Sequence, residues 1–573
     1  MIPVAFSGLS GFVHEAPGDC AVILCGAIGY EQLCAARGWR EFAEKLAAHG
    51  YPVLRFDWHG CGDSLGGDRD GGRLDAWRVS LHAAIGFARV HFGVQRIVLA
   101  GLRLGATLAA EFAAEHEIEA LAMFAPAVSG RVYAREMTAL AGVVGKTSNS
   151  DPNASSRRDG IEVAGFAVTS QTLDSLKGLD LRNVPPAKAK SVWLAAPAGQ
   201  YGVAEYAAYL EAAGCSVEAA DFPGYAEYLA EPTFSRSPDA LFDSCVDFVL
   251  KAAPLRMQMQ RPAPLPAAPL STDDFSETPA SFGEHPLFGV FCRPERSQND
   301  STALLFVNAG ANPRIGWARM HVDFARRLAG EGCASLRMDI AGLGDSPPLA
   351  GRNRQIMYDQ APCADVSAGI EWLAHRGYSK IVLVGLCSGA YLAFHTAIAD
   401  PRVTGIVMAN LQKFVWREGD TLEVAVRNAY RSTDFYKGKA LQGDTWKRML
   451  RGDIDITGIG RALTSRLLGK AQGKLTAAAN YFREGDDDTS RVRRWFTALG
   501  QRGVRVLLVY SAEDGGVDEL TLHMGAGGNH LKQWPGMSLE IIEAADHNIT
   551  PQWARDLLCA LIQRFVGSIP AAE

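Results

Sequence analysis

Residues 380–393 read KIVLVGLCSGAYLA, and residues 96–109 read RIVLAGLRLGATLA. Each is a continuous apolar run that ends in Gly-x-x-x-Gly and continues into a second apolar stretch. This is the pattern of a buried strand turning sharply into a helix. A second pair lies upstream. Residues 51–66, YPVLRFDWHGCGDSLG, and residues 333–347, CASLRMDIAGLGDSP, share L-R-[FM]-D-x-x-G-x-G-D-S. Asp57, Gly60, Gly62 and Ser64 stand 282 residues before Asp339, Gly342, Gly344 and Ser346, and Gly101 and Gly105 stand 284 before Gly385 and Gly389. Two motifs in the same order at a nearly constant offset indicate a tandem duplication of one large domain.

The repeat divides the 573 residues into two units, expected at 1–252 and 282–573. Between them, residues 253–281 read APLRMQMQRPAPLPAAPLSTDDFSETPAS. This Pro/Ala-rich stretch lacks helical or strand periodicity and reads as an extended linker. Within each unit, short apolar runs alternate with amphipathic stretches. CAVILCG, PVLRFD, RIVLAGL, ALAMFAP, SVWLAAP and SVEAADF are strands of the first, and TALLFVNAG, ASLRMDI, KIVLVGL, TGIVMAN, RVLLVYS and SLEIIEAA are strands of the second. Continuous apolar strands separated by helices predict an α/β class: two tandem, mostly parallel sheets with helices on both faces. Each unit carries an insertion before its late strands, near 128–189 and 411–501. Such insertions are expected to cap the sheet's carboxyl edge. The second reads as helical in LEVAVRNAY, TWKRML, ALTSRLLG and RVRRWFTALGQRG.

Composition narrows the function classes. Hydrophobic residues make up 48% and charged residues 21%, enough to bury large cores, and the net charge of −6 excludes a strongly basic nucleic-acid binder. The eleven cysteines form no CxxC pair, so neither a disulfide framework nor a structural zinc site is expected. The N-terminus lacks the basic-then-apolar pattern of a signal peptide, and no apolar run reaches the ~18 residues of a membrane span. A reducing cytoplasm is the expected compartment.

Cys387 sits midway between Gly385 and Gly389, where strand turns into helix. A nucleophile there needs neighbours with almost no side chain, and the helix N-terminus pointing at it favours a thiolate and helps hold an oxyanion. With this elbow and the D-x-x-G-x-G-x-S stretches, the chain resembles the α/β-hydrolase superfamily, notably its serine aminopeptidase-like and esterase branches. Cys stands where most members carry Ser. The resemblance implies the order nucleophile, acid, histidine. His547, in ADHNIT after the last strand, matches the histidine. Asp514, in AEDGGVDEL, matches the acid, with Glu513 and Asp518 as rivals. It also implies oxyanion donors at the N–H of Ser388 and at Ala311 or its neighbour Gly310, where the family's His-Gly reads Asn308-Ala309.

The first copy lacks these groups. Arg103 occupies its apex, no histidine follows SVEAADF, and no acid follows SVWLAAP before Glu205. It reads as an inactive pseudo-domain. A purely structural role is the first reading of this copy; the sharper alternative is that Arg103, a cation at a helix N-terminus, binds an anionic group such as a carboxylate or phosphate.

A Cys nucleophile exchanges readily with thioesters, because the acyl-enzyme is itself a thioester. Polyhydroxyalkanoate synthases and dienelactone hydrolases share the fold and a Cys in the elbow. The expected chemistry is hydrolysis or transfer of an acyl group through an acyl-Cys387 intermediate. The substrate is a small ester or thioester, free or carrier-bound. No metal, organic cofactor, nucleic acid or membrane partner is implied. Three other readings stay open: an amidase or peptidase, a non-catalytic scaffold of two pseudo-hydrolases, and a redox thiol at Cys387.

Overall fold

The computed structural model describes residues 1–144, 159–257, 269–296, 301–350, 358–416 and 488–569. In the first half, the strands are β1 (Ile2–Phe6), β2 (Leu9–His14), β3 (Cys20–Cys25), β4 (Val53–Phe56), β5 (Arg96–Leu102), β6 (Ala120–Phe124), a small hairpin of β7 (Ile161–Val163) and β8 (Phe166–Val168), β9 (Ser191–Ala196) and β10 (Ser216–Asp221). Eight of them form one sheet in the order β1-β2-β4-β3-β5-β6-β9-β10, antiparallel at the β1–β2 edge and parallel from β4 onward.

The second half repeats the plan. Its strands are β11 (Leu270–Ser271), β12 (Phe275–Phe282), β13 (Leu287–Pro294), β14 (Thr302–Phe306), β15 (Ala334–Met338), β16 (Lys380–Leu386), β17 (Val403–Ala409), β18 (Arg505–Ser511) and β19 (Met537–Ile542). They form a nine-stranded sheet in the order β11-β12-β13-β15-β14-β16-β17-β18-β19.

The apolar runs form strands because both faces are covered. In β16, Ile381 and Leu383 pack toward the helices Cys363–Ala374 and Ser388–Ala399, while Val382, Val384 and Leu386 pack toward the helices Met320–Gly330 and Gln552–Gly567. The same alternation in β5 divides Ile97 and Leu99 from Val98, Ala100 and Leu102. Fully apolar strands follow from a period of two with no solvent face. Among the described residues, no helix is long and apolar enough to cross a membrane.

The linker expectation needs correction. Its residues 258–268 lie outside the described residues, but the second sheet already begins at Leu270, inside the stretch expected to be linker. Strand β12, FSETPASF, carries a proline and several small polar residues, which conceals it. It forms because β13 pairs with it in full antiparallel register, from Phe275↔Pro294 to Phe282↔Leu287. The first insertion contains the helix Gly130–Val144, the β7–β8 hairpin and the helix Ser170–Lys177. In the second insertion, the helices expected in LEVAVRNAY, TWKRML and ALTSRLLG lie outside the described residues. RVRRWFTALGQRG is largely helical, within Asp488–Gln501.

The two sheets meet through the duplicated turns. Arg55 of β4 pairs with Asp345 at 2.6 Å, and Arg337 of β15, the copy of Arg55, pairs with Asp63, the copy of Asp345, at 3.2 Å. Phe12 of β2 and Phe288 of β13 meet edge to face with centroids 5.1 Å apart. Each patch therefore faces its own duplicate, the geometry of an isologous contact. Strand β12 contributes Glu277, which binds Arg326 at 2.6 Å and Arg337 at 2.8 Å.

One position breaks the symmetry. Gln32 stands 282 residues before Arg314. Asp57 receives the Gln32 amide at 2.7 Å and the Asp63 N–H at 3.0 Å, whereas Asp339 receives the Arg314 guanidinium at 2.8 Å. Burial, followed by the neighbouring Asp63 charge, pushes the Asp57 carboxyl up to about 6. A carboxyl whose pKa rises on folding holds its proton more tightly in the folded state. It therefore subtracts stability as pH climbs from about 4 to about 6, and the deficit persists above. Asp57→Asn is expected to be more stable than the wild type at pH 7, with the difference vanishing near pH 4. Urea unfolding midpoints at both pH values measure this, and an equal difference at both would contradict it.

Candidate active site

Strand β16 ends at Leu386 and a helix begins at Ser388, so Cys387 alone makes the turn, with φ 54° and ψ −118°. Positive φ on a residue with a Cβ is strained, and it persists only where its surroundings enforce it. The flanking glycines do so. A Cβ on Gly385 would collide with the carbonyl of Gly389, and one on Gly389 would stand 2.6 Å from the carbonyl oxygen of Asn308. The sulfur is thereby presented at the carboxyl edge of the sheet, 9% exposed.

His547 and Asp514 converge on it from the loops after β19 and β18. His547 Nδ1 donates to Asp514 Oδ2 at 2.6 Å, and Cys387 acts on the same imidazole electrostatically. Of the three acids considered, Asp514 is the one on the histidine. Burial alone would push the imidazole down. The Asp514 and Cys387 charges outweigh it and hold His547 well above the ordinary histidine range. The site therefore favours an imidazolium facing the sulfur.

Asp514 is fixed by further donors: the Gly516 N–H at 2.7 Å and the Gln412 amide at 2.5 Å, both to Oδ1. Asn410 donates to the His547 carbonyl at 2.7 Å and receives the Ser511 N–H at 2.7 Å, which stitches the two loops together. Tyr358 brings its hydroxyl to 3.5 Å from the Cys387 sulfur. Gln412, Asn410 and Tyr358 escaped the sequence reading. The first two had a signal: polar residues immediately after the apolar strand TGIVMA, at the carboxyl edge where such sheets build sites. Tyr358 had none.

Ser388 is not at the apex. It occupies the first helical position, where an N–H has no intrahelical acceptor, and its hydroxyl receives the Gly310 N–H at 2.8 Å. Of the two neighbours considered for the second oxyanion donor, Gly310 is thus engaged, while Ala311 follows it in the same turn. Asn308, the departure from the family's histidine, is buried and structural. Its amide donates to the Asn312 carbonyl and to Asp339, and its oxygen receives the Ile340 N–H. Among the described residues, no cluster of three or more His, Cys, Asp or Glu could hold a metal ion.

In the first half the same turn persists without a nucleophile. Arg103 has φ 54° and ψ −122°, nearly those of Cys387. The anion site expected there is corrected: the guanidinium is 4% exposed and already serves the protein's own carboxylates. Nε donates to Glu31 at 2.7 Å, one terminal nitrogen to Glu136 at 2.5 Å, and the other to the Ala125 carbonyl at 3.3 Å. Tyr133 and Tyr225 flank it at 5.2 and 5.7 Å. Tyr225 lies in the segment after β10, where a histidine would be needed. A cavity of about 540 Å³ remains beside Arg103, lined by side chains of the first insertion and, from the second domain, by Ala318, Arg319 and Asp323. None of Cys387, His547 and Asp514 lines it.

Two outcomes follow from these contacts. Asp514→Asn removes the largest charge raising the His547 pKa, so its titration midpoint is expected to fall, as read by NMR of the ring protons. Arg103→Met leaves Glu31 and Glu136 without their cation. It is expected to lower stability by about 2–3 kcal/mol in urea unfolding while leaving any chemistry at Cys387 intact.

Comparison with known proteins adds two family matches. Residues 35–158 match the model described as serine aminopeptidase, S33, and residues 304–560 match that of the alpha/beta hydrolase family. No curated protein matches the chain. Among solved structures, the chain is similar to Est1E from Butyrivibrio proteoclasticus, solved with ferulic acid bound, at 14% identity over 44% of this chain and 99% of that one, with a TM-score of 0.33. Dienelactone hydrolase from Anabaena variabilis is 14% identical over 52% of this chain and 100% of its own, with a TM-score of 0.31. Proline iminopeptidase from Mycobacterium smegmatis is 14% identical over 51% and 98%, with a TM-score of 0.31.

Proposed function

We propose that this chain, which belongs in both halves to the α/β-hydrolase superfamily, hydrolyses or transfers acyl groups of small esters or thioesters through an acyl-Cys387 intermediate. One observation carries the proposal: Cys387 stands at the strained apex of the strand-to-helix turn and acts electrostatically on a His547 that is hydrogen-bonded to Asp514. Such a grouping of nucleophile, base and orienting acid is what nucleophilic acyl transfer requires.

In this chemistry the Cys387 thiolate attacks the acyl carbon. The carbonyl oxygen, now an anion, is held by the N–H groups of Ser388 and Ala311, with the helix dipole behind the first. His547 gives its proton to the departing alcohol or thiol, and Asp514 keeps the ring in the required tautomer. Water or an acceptor alcohol, deprotonated by His547, then releases the acyl group and restores the thiol. Thioesters suit a sulfur nucleophile, because the bond made resembles the bond broken. The first domain lacks a nucleophile, a base and an acid at the matching positions and is read as catalytically silent.

Cys387→Ala is expected to abolish turnover of short-chain acyl thioesters and p-nitrophenyl esters. His547→Ala should cost at least about three orders of magnitude in kcat. Intact-mass spectra of the wild type with a slow ester should show one acyl adduct, on Cys387. Undiminished turnover in Cys387→Ala sinks the assignment.

A further inference from the structure

In that chemistry the first domain supplies no reacting atom, yet it reaches the loop that holds the Ala311 donor. We propose that Asp63 of the first domain is a positioning residue for the second domain's oxyanion loop, so that the pseudo-domain acts as an obligatory in-cis partner of the Cys387 site. The catalytic part of this proposal rests on Cys387 being the acylated residue.

The loop leaves β14 at Val307 and runs to Gly316. It is tied at its inner end by the Gly310 N–H on the Ser388 hydroxyl, 2.8 Å. Its outer end is tied by Arg314. The Arg314 N–H donates to Asp339 at 2.6 Å, and one terminal nitrogen bridges Asp339 at 2.8 Å and Asp345 at 2.7 Å. The other crosses the domain boundary to Asp63 at 2.6 Å. Arg314 and Asp63 are 4% and 1% exposed, and removing one partner of a buried ion pair leaves the other charge uncompensated. Three residues past the loop, Arg319 donates to the carbonyls of Gly62, Ser64 and Gly66. Thr233 of the first domain puts its hydroxyl 3.1 Å from where a Cβ on Gly310 would stand, so the first domain also packs against the donor turn itself.

The asymmetry of the duplicated parts gives this clamp its meaning. Asp63 and Asp345 are copies, and both bind Arg314. In the first domain the position of Arg314 is Gln32, which carries no charge and stays with Asp57 of its own domain. At this position the arginine that reaches across belongs to the domain that carries Cys387. Oxyanion donors stabilise a transition state only when held in place in advance, and small misplacements are costly. A loop fixed by a charged fork to three carboxylates from two domains meets that demand.

The test uses the full chain. Asp63→Asn keeps the shape and the acceptor oxygen but removes the charge. Its kcat is expected to fall about tenfold to a hundredfold with KM within about twofold. Alkylation of Cys387 by iodoacetamide should keep its wild-type rate, because Asp63 touches neither Cys387 nor His547. Amide hydrogen exchange over residues 308–316 should be faster. Arg96→Gln, which breaks pairs to Asp19 and Glu119 elsewhere in the first domain, is the control for general destabilisation and should leave kcat unchanged. Arg319→Lys keeps the charge and loses the three-carbonyl fork. It should show the same kcat-selective loss and serves if Asp63→Asn does not fold. Wild-type kcat in a folded Asp63→Asn overturns the proposal. If the wild type turns over no acyl substrate, the acyl-Cys387 reading has failed, and unchanged exchange in the 308–316 loop would separately overturn the clamp.

Discussion

A buried set of arginines and carboxylates between two duplicated turns determines how the halves of this molecule face each other. Arg55, Arg314, Arg326 and Arg337 lie against Asp63, Asp339, Asp345 and Glu277, most of them buried. Taking so many ions out of water is expensive, and pairing restores only part of the cost. What the set provides is geometry: a guanidinium fork accepts partners in its plane and at fixed angles, so the domains dock in one orientation. The edge-to-face contact of Phe12 and Phe288 adds apolar area at the centre without specifying direction.

Much of this was legible before any coordinates. Duplication, sheet class and the Cys387 elbow follow from spacing and period, and His547 from the resemblance to the α/β-hydrolases. What stayed hidden depended on partners far along the chain. The arginine and the second aspartate of L-R-[FM]-D-x-x-G-x-G-D-S were visible as a repeated pattern, but their task is to reach the other copy, which no local window reveals. Arg103 was read correctly as a cation at a helix start and incorrectly as open to a ligand, because Glu31 lies 72 residues earlier and Glu136 33 residues later. Strand β12, next to the two-residue edge strand β11, was concealed by its proline and serines, which count against strands locally and are tolerated where a full-length neighbour supplies the register.

The two elbows separate fold from chemistry. Arg103 and Cys387 share a strained backbone within a few degrees, yet one of them has no reacting group to present. The strain is therefore imposed by the glycines and by the close approach of the neighbouring loop, and it persists with an arginine at the apex. Around Arg103 the vacated polar space has been filled from within, by two carboxylates and two tyrosines, rather than by collapse of the cavity.

The covalent connection between Met257 and Pro269 gives the isologous contact a different physical meaning. Two separate chains meeting through such a patch would part on dilution, and every parting would withdraw Asp63 from Arg314. Joined in one chain, each patch sees the other at an effective concentration on the order of millimolar, whatever the concentration of the protein in solution. Assembly of the oxyanion loop then becomes a property of a single molecule. It is independent of expression level, and one half is free to lose its own nucleophile while the other keeps a full set of carboxylates.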